Sequence, residues 1–350
     1  METTGGGTGT GDAGTGGAGT GSVRIGILGA AKIAPSALVK PAKRVEEATV
    51  TAIAARDPGR AAAFARKHDV PVVHERYEDV FADDRIDAVY VPLPNGLHAQ
   101  WAVRALESGK HVLCEKPLAS NADEAQRMTD VAGSNDRVLM EAFHYRYHPL
   151  AERLREIVHG GELGEIQEVR TWMCFPLPVF GDIRYRYELG GGATMDAGCY
   201  GLHCLRLLGP GEPEVVSARA LTRDPKVDRA MTIHLRFPNG AAGRTDTSMW
   251  SSRLLHIAAR VKGDRGQLHV LNFVAPQFFH LVRLTTGGRT RRFRVRGDST
   301  YEYQLRAFTG AVLRGSPVLT PGSDAVMTMG LIDDAYRAAG LPLRGEPTGP

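Results

Sequence analysis

Between Val23 and Met140 the chain repeats one pattern six times. A short apolar run is followed by a break, and most breaks lead into a stretch with helical spacing. The runs cover residues 23–28, 49–55, 72–73, 88–91, 111–114 and 138–140. Strands alternating with helices in this way build a doubly wound parallel sheet. The predicted fold class is therefore α/β, with an N-terminal doubly wound Rossmann-type domain. Ligands of such sheets bind in the crevice at the carboxyl ends of the strands, so the residues that end each run are the ones to read for function.

Those ends share a character. The first run passes into Gly29-Ala30-Ala31-Lys32-Ile33-Ala34. Small residues there let a pyrophosphate approach the backbone amides at a helix N-terminus. Against G-x-G-x-x-G/A the middle glycine is replaced by Ala31, and an ordinary strand–helix turn is the alternative. Gly29, Ala30, Ala31, Ile33 and Ala34 are the candidate pyrophosphate contacts. The second run ends Ala54-Ala55-Arg56-Asp57. A unit that binds NAD commonly carries an acid here for the ribose hydroxyls. A small residue followed by Arg56 instead leaves room for a 2′-phosphate and offers it a bidentate donor. The reading is NADP(H), with NAD kept open and a solvated Arg56 as the alternative. Asp57 fits the N-cap of the helix that starts at Pro58.

The fourth run exits through Pro92-Leu93-Pro94-Asn95-Gly96-Leu97-His98, where two prolines stop the ladder. Leu93, Asn95 and His98 are candidate cofactor contacts. The fifth run ends in Glu115-Lys116-Pro117. Taken alone, Lys116 is better read as the charged end of a buried strand, since many strands end in charged residues. Its arrival at the same sheet edge as Gly29, Arg56, Asn95 and His98 favours chemistry.

At 350 residues the chain exceeds the roughly 250–300 at which one core stops growing, so a second domain is expected. Residues 150–159 and 193–208 read as helices. Residues 166–174, 215–221, 231–237, 243–250, 257–261, 267–271, 279–284 and 292–295 read as strands, and two helices (301–314 and 324–339) close the chain. Pro238-Asn239-Gly240 is a hairpin turn. This composition suits a substrate domain with a large open, mostly antiparallel sheet. The expected division is a Gly/Thr-rich disordered tail over 1–22, a cofactor domain over 23–142, a substrate and dimerisation domain over 143–341, and a C-terminal tail over 342–350.

A net charge of +4 with scattered Arg and Lys gives no nucleic-acid face, and the basic run 289–296 alternates like a solvated strand. No run of about 18 apolar residues is present, so no membrane span is expected. Cys114, Cys174, Cys199 and Cys204 form neither a disulfide framework nor a CxxC pair, which points to reduced thiols, a cytoplasmic setting and no metal site.

These residues resemble the Gfo/Idh/MocA (glucose–fructose oxidoreductase, inositol dehydrogenase) family from about Val23 to Leu341. The resemblance rests on Glu115-Lys116-Pro117, on Pro94-Asn95-x-x-His98, on residues 140–149 and on Gly190-Gly191-Gly192-Ala193-Thr194-Met195-Asp196-Ala197-Gly198-Cys199-Tyr200. Gly198-Cys199-Tyr200 is similar to the branch of NADP-dependent xylose dehydrogenase and dimeric dihydrodiol dehydrogenase; sugar 3-ketoreductases look similar too. The resemblance implies Lys116 beside the nicotinamide, often before a cis proline, with Asn95, His98 and Glu115 near the nicotinamide ribose. It also implies a homo-dimer or homo-tetramer acting on a carbohydrate or diol. Where other branches carry a histidine after the aspartate, this chain has Tyr200.

The catalytic candidates are thus Lys116, Tyr200 and Asp196. Burial beside a cationic nicotinamide is expected to lower the Lys116 pKa, and an ammonium nearby to favour a Tyr200 tyrosinate. Tyr200 is read as exchanging the proton while Lys116 stabilises the alkoxide, with the reverse assignment open. Asp196 orients Tyr200 or substrate, or is a first-turn acid. His203 is read as a satisfied interior histidine, residues 144–148 as a pocket wall or domain seam, and Arg184, Tyr185 and Arg186 as a solvated loop, with a substrate loop as the alternative. A dihydrodiol dehydrogenase or keto-sugar reductase is the alternative enzyme. A nucleotide-binding regulator without turnover is the alternative from another class, and it should lack the lysine or the tyrosine.

Overall fold

The computed structural model describes residues 21–345 except Phe180, Ser251 and Arg253, so the tail expected at the N-terminus lies, over 1–20, outside the described residues. The first sheet is wholly parallel. Its strands are β1 (Val23–Leu28), β2 (Ala48–Ala54), β3 (Val72–His74), β4 (Ala88–Val91), β5 (His111–Cys114) and β6 (Leu139–Glu141), in the order β3-β2-β1-β4-β5-β6. All four β4 residues are fully buried, as expected of a strand covered on both faces. The order reverses between β1 and β4, which opens the ligand crevice above their carboxyl ends.

The crossovers begin with a π-turn (Pro35–Val39) and α1 (Lys40–Ala42). They continue with α2 (Pro58–His68), α3 (Tyr77–Ala82), α4 (His98–Glu107) and α5 (Ala122–Ser134). Local chemistry sets where they start. Asp57 caps α2 by accepting from the Arg60 amide at 3.1 Å, and Pro58 occupies its first turn. Asn121 caps α5 by accepting from the Glu124 amide at 2.8 Å. α4 turns Ala99, Ala102, Ala105 and Leu106 into the core at helical spacing.

After α6 (Pro149–His159) comes a second sheet, built from β7 (Ile166–Cys174), β8 (Glu214–Asp224), β9 (Val227–Arg236), β10 (Ala242–Ser248), β11 (His256–Gly263), β12 (Gly266–Leu271), β13 (Leu281–Thr286) and β14 (Arg289–Phe293). Its order is β14-β13-β12-β11-β7-β10-β9-β8, and only the β7–β10 pair is parallel. α7 (Cys199–Leu208) lies on one face, where the Thr171 hydroxyl donates to the Gly201 carbonyl at 3.1 Å. Strand alternation puts Arg170 and Trp172 on the other face, with Arg170 paired to Asp246. The basic run forms β14, an exposed edge strand.

Two expectations of domain organisation need correction. α8 (Thr300–Arg314), expected in the second domain, packs on the first sheet as well as on residues 144–147. Its Leu305 and Phe308 are buried with Ile25, Ile27, Ile53, Leu113 and Met140. Each such side chain contributes about 1.5–3 kcal/mol on burial, which long-range packing can claim and local periodicity cannot reveal. α9 (Gly322–Ala338) likewise packs on α5 as well as β8. The segment from Pro342 was read as a tail, yet Arg344 is fully buried and paired with Asp228, also fully buried, at 3.2 Å.

Candidate active site

Four strand ends of the first sheet converge. Gly29 adopts φ +99°, and a Cβ there would stand 2.9 Å from Leu93 Cδ2, so the turn after β1 closes against the exit of β4 because residue 29 has no side chain. The amides of Ala30, Ala31, Lys32 and Ile33 donate to no backbone carbonyl among the described residues. Ile33 is partly exposed and Ala34 buried. These bare amides at a helical start, on a glycine turn, fit a pyrophosphate. Arg56 is exposed at the end of β2. Arg60, which sequence reasoning missed, donates to the Ala30 carbonyl at 3.1 Å and so adds a second guanidinium beside the turn.

His98 is fully buried, with Nδ1 2.9 Å from the Pro117 carbonyl and Nε2 2.8 Å from the Leu93 carbonyl. Burial lowers its pKa, and a neutral ring has one N–H, so it donates to one of these two carbonyls while lying between the two loops. Asn95 donates to the Gly190 carbonyl at 3.1 Å, which joins the β4 exit to the triple-glycine turn of the second domain. Glu115 accepts from the Tyr90 hydroxyl at 2.6 Å; burial raises its pKa although that bond works the other way. The Lys116–Pro117 bond is cis.

Lys116 and Asp196 meet across the seam. Lys116 Nζ is 3.1 Å from Asp196 Oδ1 and 2.9 Å from the Asp196 carbonyl, and it sits 5.0 Å from the centre of the Tyr200 ring. Asp196 lies on a π-turn, Thr194–Gly198, that leads into α7 and puts Asp196 and Tyr200 on one side of the segment. Its other oxygen accepts from Arg184 Nε at 2.9 Å. Arg184 is therefore anchored in the site and does not lie on a free solvated loop. Its attachment depends on a residue 12 positions away, which spacing gave no means to find.

The expected lowering of the Lys116 pKa concerns the chain with an oxidised nicotinamide beside it; in the chain alone the balance runs the other way. Burial by itself, the largest single influence, would lower the Lys116 pKa, but Asp196, Cys199 and Glu115 together outweigh it and the net shift is upward. Burial likewise opposes ionisation of Asp196, and Lys116 and Arg184 together hold it below the ordinary carboxylate range. Burial also carries the Tyr200 hydroxyl well above its ordinary value, helped by Tyr301 and Glu115. At neutral pH the site of the unliganded chain therefore presents an ammonium and an intact phenol.

Behind Tyr200 the hydroxyl is 3.1 Å from His144 Nε2, and His144 Nδ1 is 2.8 Å from Thr300 Oγ1. Tyr301 lies against the His144 ring at 4.2 Å between centroids. Burial and the Lys116 charge push His144 down to about 3, so its ring is neutral. The expectation for His144 is a pocket wall or domain seam, with no individual role. Its neighbours come from α7 and α8, far away in sequence. His203, by contrast, is an interior histidine as expected: it is bonded to Tyr145, 3.0 Å from Asp324 and stacked on Phe143. Among the described residues no group of acids, histidines or cysteines could hold a metal ion, and no helix is long and apolar enough to cross a membrane. All four cysteines are buried and unpaired to one another.

Comparison with known proteins agrees along the chain. Residues 23–143 match the oxidoreductase family with an NAD-binding Rossmann fold (GFO_IDH_MocA), and residues 151–269 match the GFO/IDH/MocA C-terminal domain. D-xylose 1-dehydrogenase (NADP(+)) 2 of Haloferax volcanii is 37% identical over 316 residues, 90% of this chain and 96% of that protein. Trans-1,2-dihydrobenzene-1,2-diol dehydrogenase of Xenopus tropicalis is 28% identical over 306 residues, 83% of this chain and 90% of that one. KijD10, a 3-ketoreductase from Actinomadura kijaniata solved with NADP and TDP-benzene, superposes with a TM-score of 0.84 at 30% identity, covering 91% of this chain and 98% of its own. KijD10 has also been solved with one lysine changed to alanine and with one tyrosine changed to phenylalanine. Both halves of the chain are thus matched: the chain belongs to the Gfo/Idh/MocA family and is a nicotinamide-dependent oxidoreductase.

Proposed function

We propose that this chain transfers hydride between NADP(H) and a sugar or polyol-like alcohol or ketone, with Tyr200 exchanging the proton at the reacting oxygen and Lys116 holding the charge that develops there. The observation that carries the reading is the Lys116–Asp196 pair at 3.1 Å, seated beside Tyr200 at the carboxyl edge of the first sheet. The turn amides from Ala30 to Ile33 would hold the pyrophosphate, Arg56 and Arg60 the 2′-phosphate, and Leu93, Asn95 and Glu115 the nicotinamide end. When bound, the nicotinamide supplies or accepts the hydride.

Asp196 keeps Lys116 charged, so the lysine is unsuited to taking up a proton and suited to donating hydrogen bonds to an alkoxide. That supports the assignment in which Tyr200 moves the proton. In KijD10 the substituted lysine and tyrosine are spaced as Lys116 and Tyr200 are here, which supports treating them as a working pair. An ammonium and an intact phenol both able to donate would suit reduction of a carbonyl, so keto-sugar reduction is the second reading that the protonation states favour.

The same reading has two copies pairing through the open face of the second sheet, with the Arg170–Asp246 and Arg260–Glu168 pairs at its centre. Size-exclusion chromatography with light scattering tests this; a monomer at micromolar concentration would remove it. The activity is tested by following reduced cofactor with NADP+ or NAD+ and aldoses, polyols and dihydrodiols, then with NADPH and keto-sugars. Lys116→Ala and Tyr200→Phe should each lower turnover by orders of magnitude without unfolding the chain. Near-normal turnover in either removes that residue from the mechanism, and a clear preference for NAD+ removes the reading of Arg56.

A further inference from the structure

The row Tyr200–His144–Thr300 lies wholly inside the protein and joins the proposed proton donor to the first turn of α8. Tyr200 is 7%, His144 4% and Thr300 0% exposed. A neutral imidazole donates from one nitrogen and accepts at the other, so the bond at Nδ1 decides what Nε2 does to Tyr200. Among the described residues the Thr300 hydroxyl has one side-chain partner, His144 Nδ1 at 2.8 Å. If Nδ1 carried the proton, the Thr300 hydroxyl could only accept, and its own proton would be buried with no acceptor, which is costly. If Thr300 donates to Nδ1, its proton is satisfied and the imidazole proton stays on Nε2, aimed at the Tyr200 oxygen 3.1 Å away; the proton then left without a protein acceptor is that of Tyr200, which is 7% exposed, and not that of the fully buried Thr300.

We propose that His144, with its tautomer set by Thr300, is a positioning residue that donates a hydrogen bond to Tyr200 and so directs the tyrosine's own proton toward substrate. This rests on the reading of Tyr200 as the proton-exchanging group. In the reductive direction the Tyr200 O–H bond breaks and an O–H bond forms on the carbonyl oxygen as the hydride from the reduced nicotinamide reaches the carbonyl carbon. The negative charge left on the Tyr200 oxygen is met by the Nε2–H of His144, and no proton leaves the imidazole. With the opposite tautomer Nε2 would accept from Tyr200 and turn its proton away from the site. Burial opposes tyrosinate formation, so a charge-assisted donor at this oxygen acts where the chemistry is hardest.

The tautomer is read directly by 15N NMR of histidine-labelled chain, with the signal assigned by its loss in His144→Asn. The expected spectrum shows Nδ1 unprotonated and Nε2 protonated; the reverse pattern, or a rapid mixture of both, overturns the proposal. Kinetics give a second readout. Thr300→Val should lower kcat about ten- to a hundredfold with KM little changed, the span expected for losing one hydrogen bond to a charged group. In the oxidative direction its pH profile should move to higher pH by one to two units, about tenfold in rate for each. Thr300→Ser should restore both. The other groups facing Tyr200 and His144 stay in place in every variant: Lys116, Glu115, Asp196, Cys199, Tyr145 and Tyr301. Near-normal turnover in Tyr200→Phe would overturn the functional reading and this proposal with it. An inactive Tyr200→Phe beside a Thr300→Val that matches wild type would overturn the proposal alone.

Discussion

Arg344→Met removes the positive half of a fully buried ion pair close to the end of the described chain. In the native state Asp228 accepts from the Thr194 amide and hydroxyl, both at 2.7 Å, from the Tyr336 hydroxyl at 2.9 Å, and from Arg344. Arg344 in turn donates to the Gly191 carbonyl at 2.7 Å and stacks on the Tyr336 ring at 4.1 Å. Without the guanidinium Asp228 keeps its neutral donors but loses its counter-charge in a dry setting, and Gly191 loses a buried donor. Breaking one side of such a pair costs about 3–5 kcal/mol. Unfolding entropy of about 2.1 cal/mol/K per residue, over roughly 325 ordered residues, converts that to a fall in Tm of about 4–7 °C. Calorimetry at pH 7 measures it. Asp228→Asn in the same chain removes the stranded charge, so the double variant should regain at least half of the loss. Activity should also fall in Arg344→Met, because Gly191 and Gly192 bond to the Arg186 and Arg184 carbonyls and so help to place the arginine that holds Asp196. A single variant within about 1 °C of wild type, or a double variant at the sum of the two single losses, would refute the reasoning.

Three more outcomes are expected. Glu141 is buried, with Oε2 unpartnered, and burial raises its pKa to about 8. Between the unfolded value of about 4.3 and that figure the native state binds more protons than the unfolded one, so stability should fall as pH rises through the window. Glu141→Gln should flatten that fall and melt above wild type at pH 9; equal melting curves there would refute it. Arg56→Ala should raise KM for NADP+ tenfold or more and leave KM for NAD+ within about twofold, as read from initial rates; a parallel loss with both would place Arg56 outside the 2′-phosphate site. Gly29→Ala must fit a Cβ 2.9 Å from Leu93 at φ +99°, so NADPH affinity by fluorescence titration should fall at least tenfold; unchanged affinity would sink the assignment of this turn.

Much of the first sheet was legible because its signals are local. Prolines at 92 and 94 stop β4, Asp57 and Asn121 cap helices, and short buried runs alternate with amphipathic ones. The eight strands of the second sheet were each found from alternation, with bounds displaced by a few residues; 243–250 was expected where β10 spans Ala242–Ser248. What stayed hidden was coupling at long range. α8 reads as an ordinary amphipathic helix, and nothing in its own residues says that Leu305 and Phe308 cover β1 and β5. Lys116 could be named a candidate, but its charge state could not be read, because that depends on Asp196 at 80 positions' separation. Arg184 and Arg344 look like any exposed arginines until the fold brings a carboxylate to each.

The return of α8 to the first sheet has a consequence for synthesis. A ribosome that has delivered all six strands of that sheet has not yet delivered the helix that completes the cover over Ile25, Ile27, Ile53 and Leu113. Domains tend to fold as they emerge, N-terminal first. The π-turn and α2 already lie on that face, but the part of it that Leu305 and Phe308 fill stays open through the whole eight-stranded sheet, until translation has passed residue 308. During that interval the nascent chain is the form of this protein most in need of a chaperone.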